Sequence, residues 1–83
     1  MNPTPPNWWY VYLLRSKRNN STYIGCTSNL GRRLQEHKEG KNYSIKKLLP
    51  VELIYFEAYK SKKDAFRREK HLILFKRIKK FKD

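Results

Sequence analysis

Cysteine is almost missing from this chain. Cys26 is the only one, which excludes an intramolecular disulfide and a cysteine-rich zinc site and fits a reduced, cytoplasmic setting. No apolar run approaches the roughly 20 residues of a membrane-spanning helix, and residues 1–7 have neither the basic start nor the apolar stretch of a secretory signal. Acidic side chains are scarce: seven Asp and Glu stand against twenty Lys and Arg, a formal net charge of +13. Such an imbalance repels itself in the folded state and calls for a polyanionic partner. Nucleic acid, DNA before RNA, is the first candidate and an anionic membrane surface the second, with no membrane insertion expected. Eighty-three residues make one small domain without room for two cores.

Turn and breaker residues divide the chain. Pro3, Pro5 and Pro6 mark an extended tail over 1–7. Trp8 to Arg15 reads as a strand, Ser16 to Ser21 as a turn and Thr22 to Thr27 as the second arm of a β-hairpin. Ser28 can cap a helix to about Glu39 that Gly40 ends. A basic loop with Tyr43, Ser44, Lys46 and Lys47 runs from Lys41 to Pro50. Val51 to Tyr59 is apolar on both faces, as for a central strand covered on two sides. Ser61 with Asp64 opens a second helix over 61–80, and a basic tail over 81–83 closes the chain. The fold expected is α+β: a three-stranded, mainly antiparallel sheet with helices packed on it, in β-β-α-β-α order, forming one domain over 8–80.

Side-chain periodicity then singles out a constellation. On the second helix, successive residues turn by about 100°, so Ala65, Phe66, Glu69, Leu72 and Ile73 share a face with Glu69 near its centre. A carboxylate there loses water at a cost that a metal ion, a cation or hydrogen-bond donors must offset. Tyr10, Tyr12 and Leu14 share one face of the first strand, and Tyr23, Gly25 and Thr27 one face of the second. Arg33 and His37, four apart, flank the Leu30 and Leu34 stripe. If both helices pack on the tyrosine face, Tyr12, Tyr23, Arg33, His37 and Glu69 meet in one pocket. Blander roles exist for each: a boundary ion pair for Glu69, ordinary strand positions for the tyrosines, a helix-surface imidazole for His37 and a solvated cation for Arg33. His71 reads as structural and Cys26 as a small apolar residue opposite Tyr23, not a nucleophile. Trp8 and Trp9 read as core packing rather than base-stacking side chains.

Tyr10-Val11-Tyr12, then Tyr23-Ile24-Gly25, then CTSNLGRRLQEH, LLPVELIYFEAY and AFRREK resemble the GIY-YIG nuclease family, in particular small single-domain members akin to the nuclease part of the excinuclease incision subunit. The resemblance runs from Tyr10 to about Lys80. It implies that Glu69 binds one divalent cation, Mg²⁺ or Mn²⁺, that Tyr12 or Tyr23 helps activate water, and that Arg33 contacts the scissile phosphate. Tyr10 stands where the family has the first glycine, and no asparagine follows Glu69, whereas many members carry a late one.

These residue types suit phosphodiester hydrolysis. Mg²⁺ keeps several waters and tolerates a single protein carboxylate. A guanidinium fork fits two phosphate oxygens as an ammonium cannot. His37 is the acceptor that could make a tyrosine a proton relay. Arg32, Lys41, Lys46, Lys47 and Lys76 are expected along the phosphate path, together with Arg77, Lys79 and Lys80, giving salt-dependent affinity with weak sequence preference. The resulting expectation is a metal-dependent DNA endonuclease of low sequence specificity, selective for structure, in repair or recombination; a protein partner is left open. The alternative is a non-catalytic nucleic-acid-binding module on the same scaffold, which the lacking late asparagine favours.

Overall fold

The structure, a computed structural model, describes residues 7–82, with side chains described through Ile78. The proline-rich stretch over 1–6 and the side chains of Lys79 and Lys80 therefore lie outside the described residues. The elements are β1 (Trp9–Ser16), β2 (Thr22–Thr27), α1 (Leu30–Lys38), α2 (Tyr43–Lys46), β3 (Val51–Tyr59) and α3 (Lys62–Lys82). The strands form one antiparallel sheet in the order β2-β1-β3. This is the expected three-stranded sheet with helices on it, with one addition: α2 forms inside the basic loop.

Local chemistry explains the element ends. Asn29, not Ser28, caps α1: its Oδ1 accepts from Arg32 N at 3.0 Å, while its own N–H donates to Thr27 Oγ1 at 3.1 Å. Gly40 follows α1 at φ +71°, where a side chain would be strained, and its N–H donates to His37 O at 3.0 Å. Ser61 caps α3, with Oγ accepting from Asp64 N at 3.2 Å.

The central strand is β1, not β3. Tyr10, Val11, Tyr12 and Leu14 are all buried, whereas Leu53, Ile54, Tyr55 and Phe56 on β3 remain 37–47% exposed. The apolar run of β3 shows that both its faces carry apolar side chains. It does not say that both are covered, because the hairpin fixes β2 beside β1 and leaves β3 the outer place.

A second correction concerns the helices, which do not share the tyrosine face. Leu30 of α1 and Ile45 of α2 pack with Tyr10, Tyr12 and Leu14, joined by Tyr23, Leu34, Leu49 and Val51. The long helix α3 covers the opposite face. Phe66 meets Trp9 edge-on with ring centroids 5.7 Å apart. Arg68 clasps Glu57, which pairs with Val11 across the sheet. Trp9, Val11 and Leu13 alternate with the tyrosines, so both faces of β1 need cover. Ala65, fully buried on α3, allows the close approach.

Candidate active site

The site is built around a missing side chain. Tyr12 and Gly25 are partners in the β1–β2 ladder. A Cβ at residue 25 would stand 2.3 Å from Tyr12 Oη and 2.4 Å from Cζ, well inside van der Waals contact. Glycine thus lets the Tyr12 ring lie across β2 and carry its hydroxyl to α1. There Oη and His37 Nε2 are 2.8 Å apart, both buried. Tyr23 completes the group, its ring centroid 5.6 Å from that of His37 and 6.5 Å from that of Tyr12.

Burial sets the protonation of this group. It raises the Tyr12 phenol well above its ordinary pKa; Tyr23 and Glu69 add to the rise and Arg33 opposes it. Burial also lowers His37, Arg33 lowers it further, and Glu36 acts against both. The imidazole is therefore neutral at pH 7. His37 is 1% exposed and its Nδ1 has no hydrogen-bond partner among the described residues. A buried N–H without an acceptor is rarer than an acceptor left idle, so we assign the ring proton to Nε2, which donates to Tyr12 Oη. With that tautomer His37 is the donor to Tyr12, not the acceptor expected for a tyrosine relay.

Arg33 lies one turn before His37. Its guanidinium is loosely paired with Glu36 at 3.6 Å and acts electrostatically on both Tyr12 and His37. Glu69 comes from the other side of the sheet. It is half-buried on the inward stripe of α3, desolvation raises its pKa, and Lys70 opposes the rise. Among the described residues no cation lies within ion-pair distance of it and no donor bonds to it. Its charge nevertheless acts on the Tyr12 phenol and on the Cys26 thiol. Those residues lie on opposite faces of the sheet and both flank Gly25. The carboxylate thus acts on side chains of both faces beside Gly25.

The structure therefore brings Tyr12, Tyr23 and His37 into contact and sets Arg33 and Glu69 within electrostatic reach. No group of three or more His, Cys, Asp or Glu able to hold a metal exists among the described residues. An ion here would rest on Glu69 with water or substrate oxygens, which suits a hard cation such as Mg²⁺. The unpartnered, desolvated carboxylate fits that role.

The expected phosphate-path cations divide. Lys76 donates to Thr22 O and helps line a depression with Tyr23, Ile24, Ile73 and Arg77. Arg32 pairs with Glu36 at 3.8 Å, and Lys41 with Glu39 at 3.2 Å. Lys46 and Lys47 are exposed on and beside α2. His71 is not built into the interior: it is exposed, beside Tyr59, Asp64, Arg67 and Arg68. Cys26 is half-buried on the α3 face; burial and Glu69 push its thiol up to about 11, against Lys62. A thiol so held stays protonated and is a poor nucleophile.

Sequence reasoning passed over the Glu57 network. Arg68 Nε donates to both Glu57 oxygens at 3.0 Å, and Tyr55 Oη donates at 2.7 Å. Tyr59 Oη also donates to Glu57. Arg68 first, then the hydroxyls, hold the Glu57 carboxyl at about 2 although burial opposes them. The only available signal was an acid in an apolar strand, the same signal that exposed Glu69.

The family model of the GIY-YIG catalytic domain matches residues 8–82. A UPF0213 protein of Staphylococcus haemolyticus is 40% identical over 74 residues, spanning 88% of this chain and 89% of its own. One from Streptococcus pneumoniae is 42% identical over 71 residues, 84% of this chain and 68% of its own. A third, from Staphylococcus saprophyticus, is 32% identical over 74 residues, 88% and 89% of the two chains. No solved structure matches the chain.

Proposed function

Since the chain belongs to the GIY-YIG family of nuclease domains, we propose that it is an endonuclease that hydrolyses phosphodiester bonds in DNA with one divalent cation, Mg²⁺ or Mn²⁺, at Glu69. The observation that carries this reading is the half-buried Glu69 carboxylate, unpartnered among the described residues, whose charge reaches the buried Tyr12 phenol. A structural acid in such a place would be expected to hold a cation from the protein, as Glu57 holds Arg68.

The remaining groups divide the work. A divalent ion at Glu69 would offset that charge beside Tyr12 and take up charge building on the phosphate oxygens. Arg33 presents a planar fork to two non-bridging oxygens. A group that takes a proton from the attacking water must touch it and must pass on its own. Tyr23, half-buried, is the more accessible phenol, and it would release its hydroxyl proton to solvent as it takes one from the water. Tyr12 keeps its proton in the resting site, its oxygen accepting the Nε2–H of His37. His37 holds Tyr12 in that position. The basic residues Arg32, Lys41, Lys46, Lys47 and Lys76 supply sequence-independent affinity. The substrate is thus selected by structure, a branch, nick or flap, rather than by sequence, as repair or recombination requires.

Plasmid nicking tests the reading. Purified protein should nick with Mg²⁺ or Mn²⁺ and stop with EDTA. Glu69→Gln should cut about 100-fold more slowly or less, the scale of losing a group that stabilises transition-state charge, while its circular dichroism and DNA affinity stay near wild type. Undiminished cutting by Glu69→Gln would end the metal-ligand assignment. One observation favours a second reading, a non-catalytic nucleic-acid-binding module: residues 70–83 hold no asparagine. DNA binding without metal-dependent nicking would decide for it.

A further inference from the structure

The middle of the basic loop is a rigid mount. Ile45 of α2 is 0% exposed and sits in the cluster of Tyr10, Tyr12 and Leu14. Asn42 closes the turn from below: its side chain accepts from Ser44 N at 2.9 Å, and its carbonyl from Ile45 N at 3.1 Å and Lys46 N at 2.9 Å. Leu48 N donates to Ile45 O at 2.8 Å. From the β1–β2 turn, Arg18 Nη1 donates to Lys47 O at 3.0 Å and brings another cation to the same place. The segment is thereby tied to the layer that holds Tyr12 and His37.

On this mount stands Tyr43, 74% exposed, with Lys47 Nζ 5.0 Å from its ring centroid. A single exposed aromatic is ordinary and needs no explanation. Here it is combined with a fixed backbone, an ammonium against the ring, Lys41 and Lys46 in the same loop, and Arg18 held at the Lys47 carbonyl. That combination matches an unpaired nucleotide. The base stacks on an aromatic face while cations hold the flanking phosphates, and stacking of this kind tolerates any base. Paired bases, already stacked in a duplex, offer the ring no face.

We propose that Tyr43, with Lys46 and Lys47, is a stacking platform for an unpaired nucleobase, and that it selects nucleic acids carrying an unpaired segment next to the candidate active site. The proposal deepens the nuclease reading by naming its substrate class, but stacking needs neither metal nor turnover. Binding can therefore be measured apart from cleavage.

The test is fluorescence anisotropy in EDTA with fully paired duplex, with duplex bearing a short single-stranded flap, and with the same flap built from abasic nucleotides, in DNA and in RNA versions. Wild type should bind the flap about tenfold more tightly than the abasic flap. Tyr43→Leu should remove that difference and leave duplex affinity unchanged, while Tyr43→Trp should keep it. A base-dependent difference in DNA, in RNA or in both supports the platform and identifies its source. Equal binding of flap and abasic flap by wild type, or an unchanged difference in Tyr43→Leu, would overturn it. Loss of duplex and flap affinity together in Tyr43→Leu would also overturn it. Flap selectivity without metal-dependent cutting would leave the platform standing and remove the nuclease reading. Binding to no nucleic acid at all would remove both.

Discussion

At the scale of single residues, Gly25 and Glu69 carry the account, and they differ in how far the sequence revealed them. Glu69 was legible because an acid on an apolar helical stripe contradicts its surroundings, and such local contradictions concentrate at functional sites. Its raised pKa means that the folded state favours the neutral carboxyl. It therefore adds stability below its unfolded value and loses that contribution as pH rises, so at neutral pH the unliganded carboxylate is held at a cost. Gly25 was legible only as a letter of a motif. Its reason, the Tyr12 ring lying over it, depends on a cross-strand pairing that alternation alone does not supply. Gly25→Ala should push Tyr12 off His37 and destabilise the fold by about 1–3 kcal/mol, the usual range for overpacking. Urea titration checks the stability, and the ring resonances of His37 report the lost contact. A variant as stable as wild type, with those resonances unmoved, would show that the strand accommodates a methyl group there.

Among the elements, β1, β2, α1, β3 and α3 could be read from breaker residues and periodicity, because each is bounded by its own turn or cap chemistry. What could not be read was which hairpin strand β3 joins and which face of the sheet each helix covers. The continuous apolar run of β3 suggested a central place, but a strand added to either edge of the hairpin is an outer one, and the choice of edge decides only whether β1 or β2 is central. Nor could α2 be foreseen, since Ile45 is one apolar residue in a basic segment and its burial is a tertiary event. The face taken by α3 follows from side chains on both sides of β1, and Glu57 with Arg68 fastens it there. This pair makes a pH-dependent contribution. The Glu57 carboxyl is held at about 2 against an ordinary 4.5. Its stabilisation is present above the unfolded value and is lost as pH falls from about 4.5 toward 2. Arg68→Leu should lower stability at pH 7 and flatten the acid slope in that window, seen by thermal melts at stepped pH. Parallel acid slopes for wild type and variant would show that the pair does not fasten the helix.

For the molecule as a whole, composition pointed to a polyanion, and the architecture shows how a chain of this size can offer both charge and a site. In the candidate site the two layers meet: Tyr12, Tyr23, Arg33 and His37 belong to the α1 side, and Glu69 comes from α3 with its charge acting on Tyr12 and Cys26 beside Gly25. Sequence spacing placed these side chains on their elements but could not show which face of the sheet α3 covers. The central claim is that Glu69 holds a divalent cation where the layers meet. Paramagnetic broadening by substoichiometric Mn²⁺ in amide NMR spectra tests it most directly, since even a weakly held ion marks its neighbours. In the wild type the broadening should centre on Tyr12, Gly25, Cys26 and the turn of α3 around Glu69, and Glu69→Gln should abolish it there. The same broadening in the variant, or broadening centred on Glu52, Glu57 or Asp64 instead, would contradict the assignment.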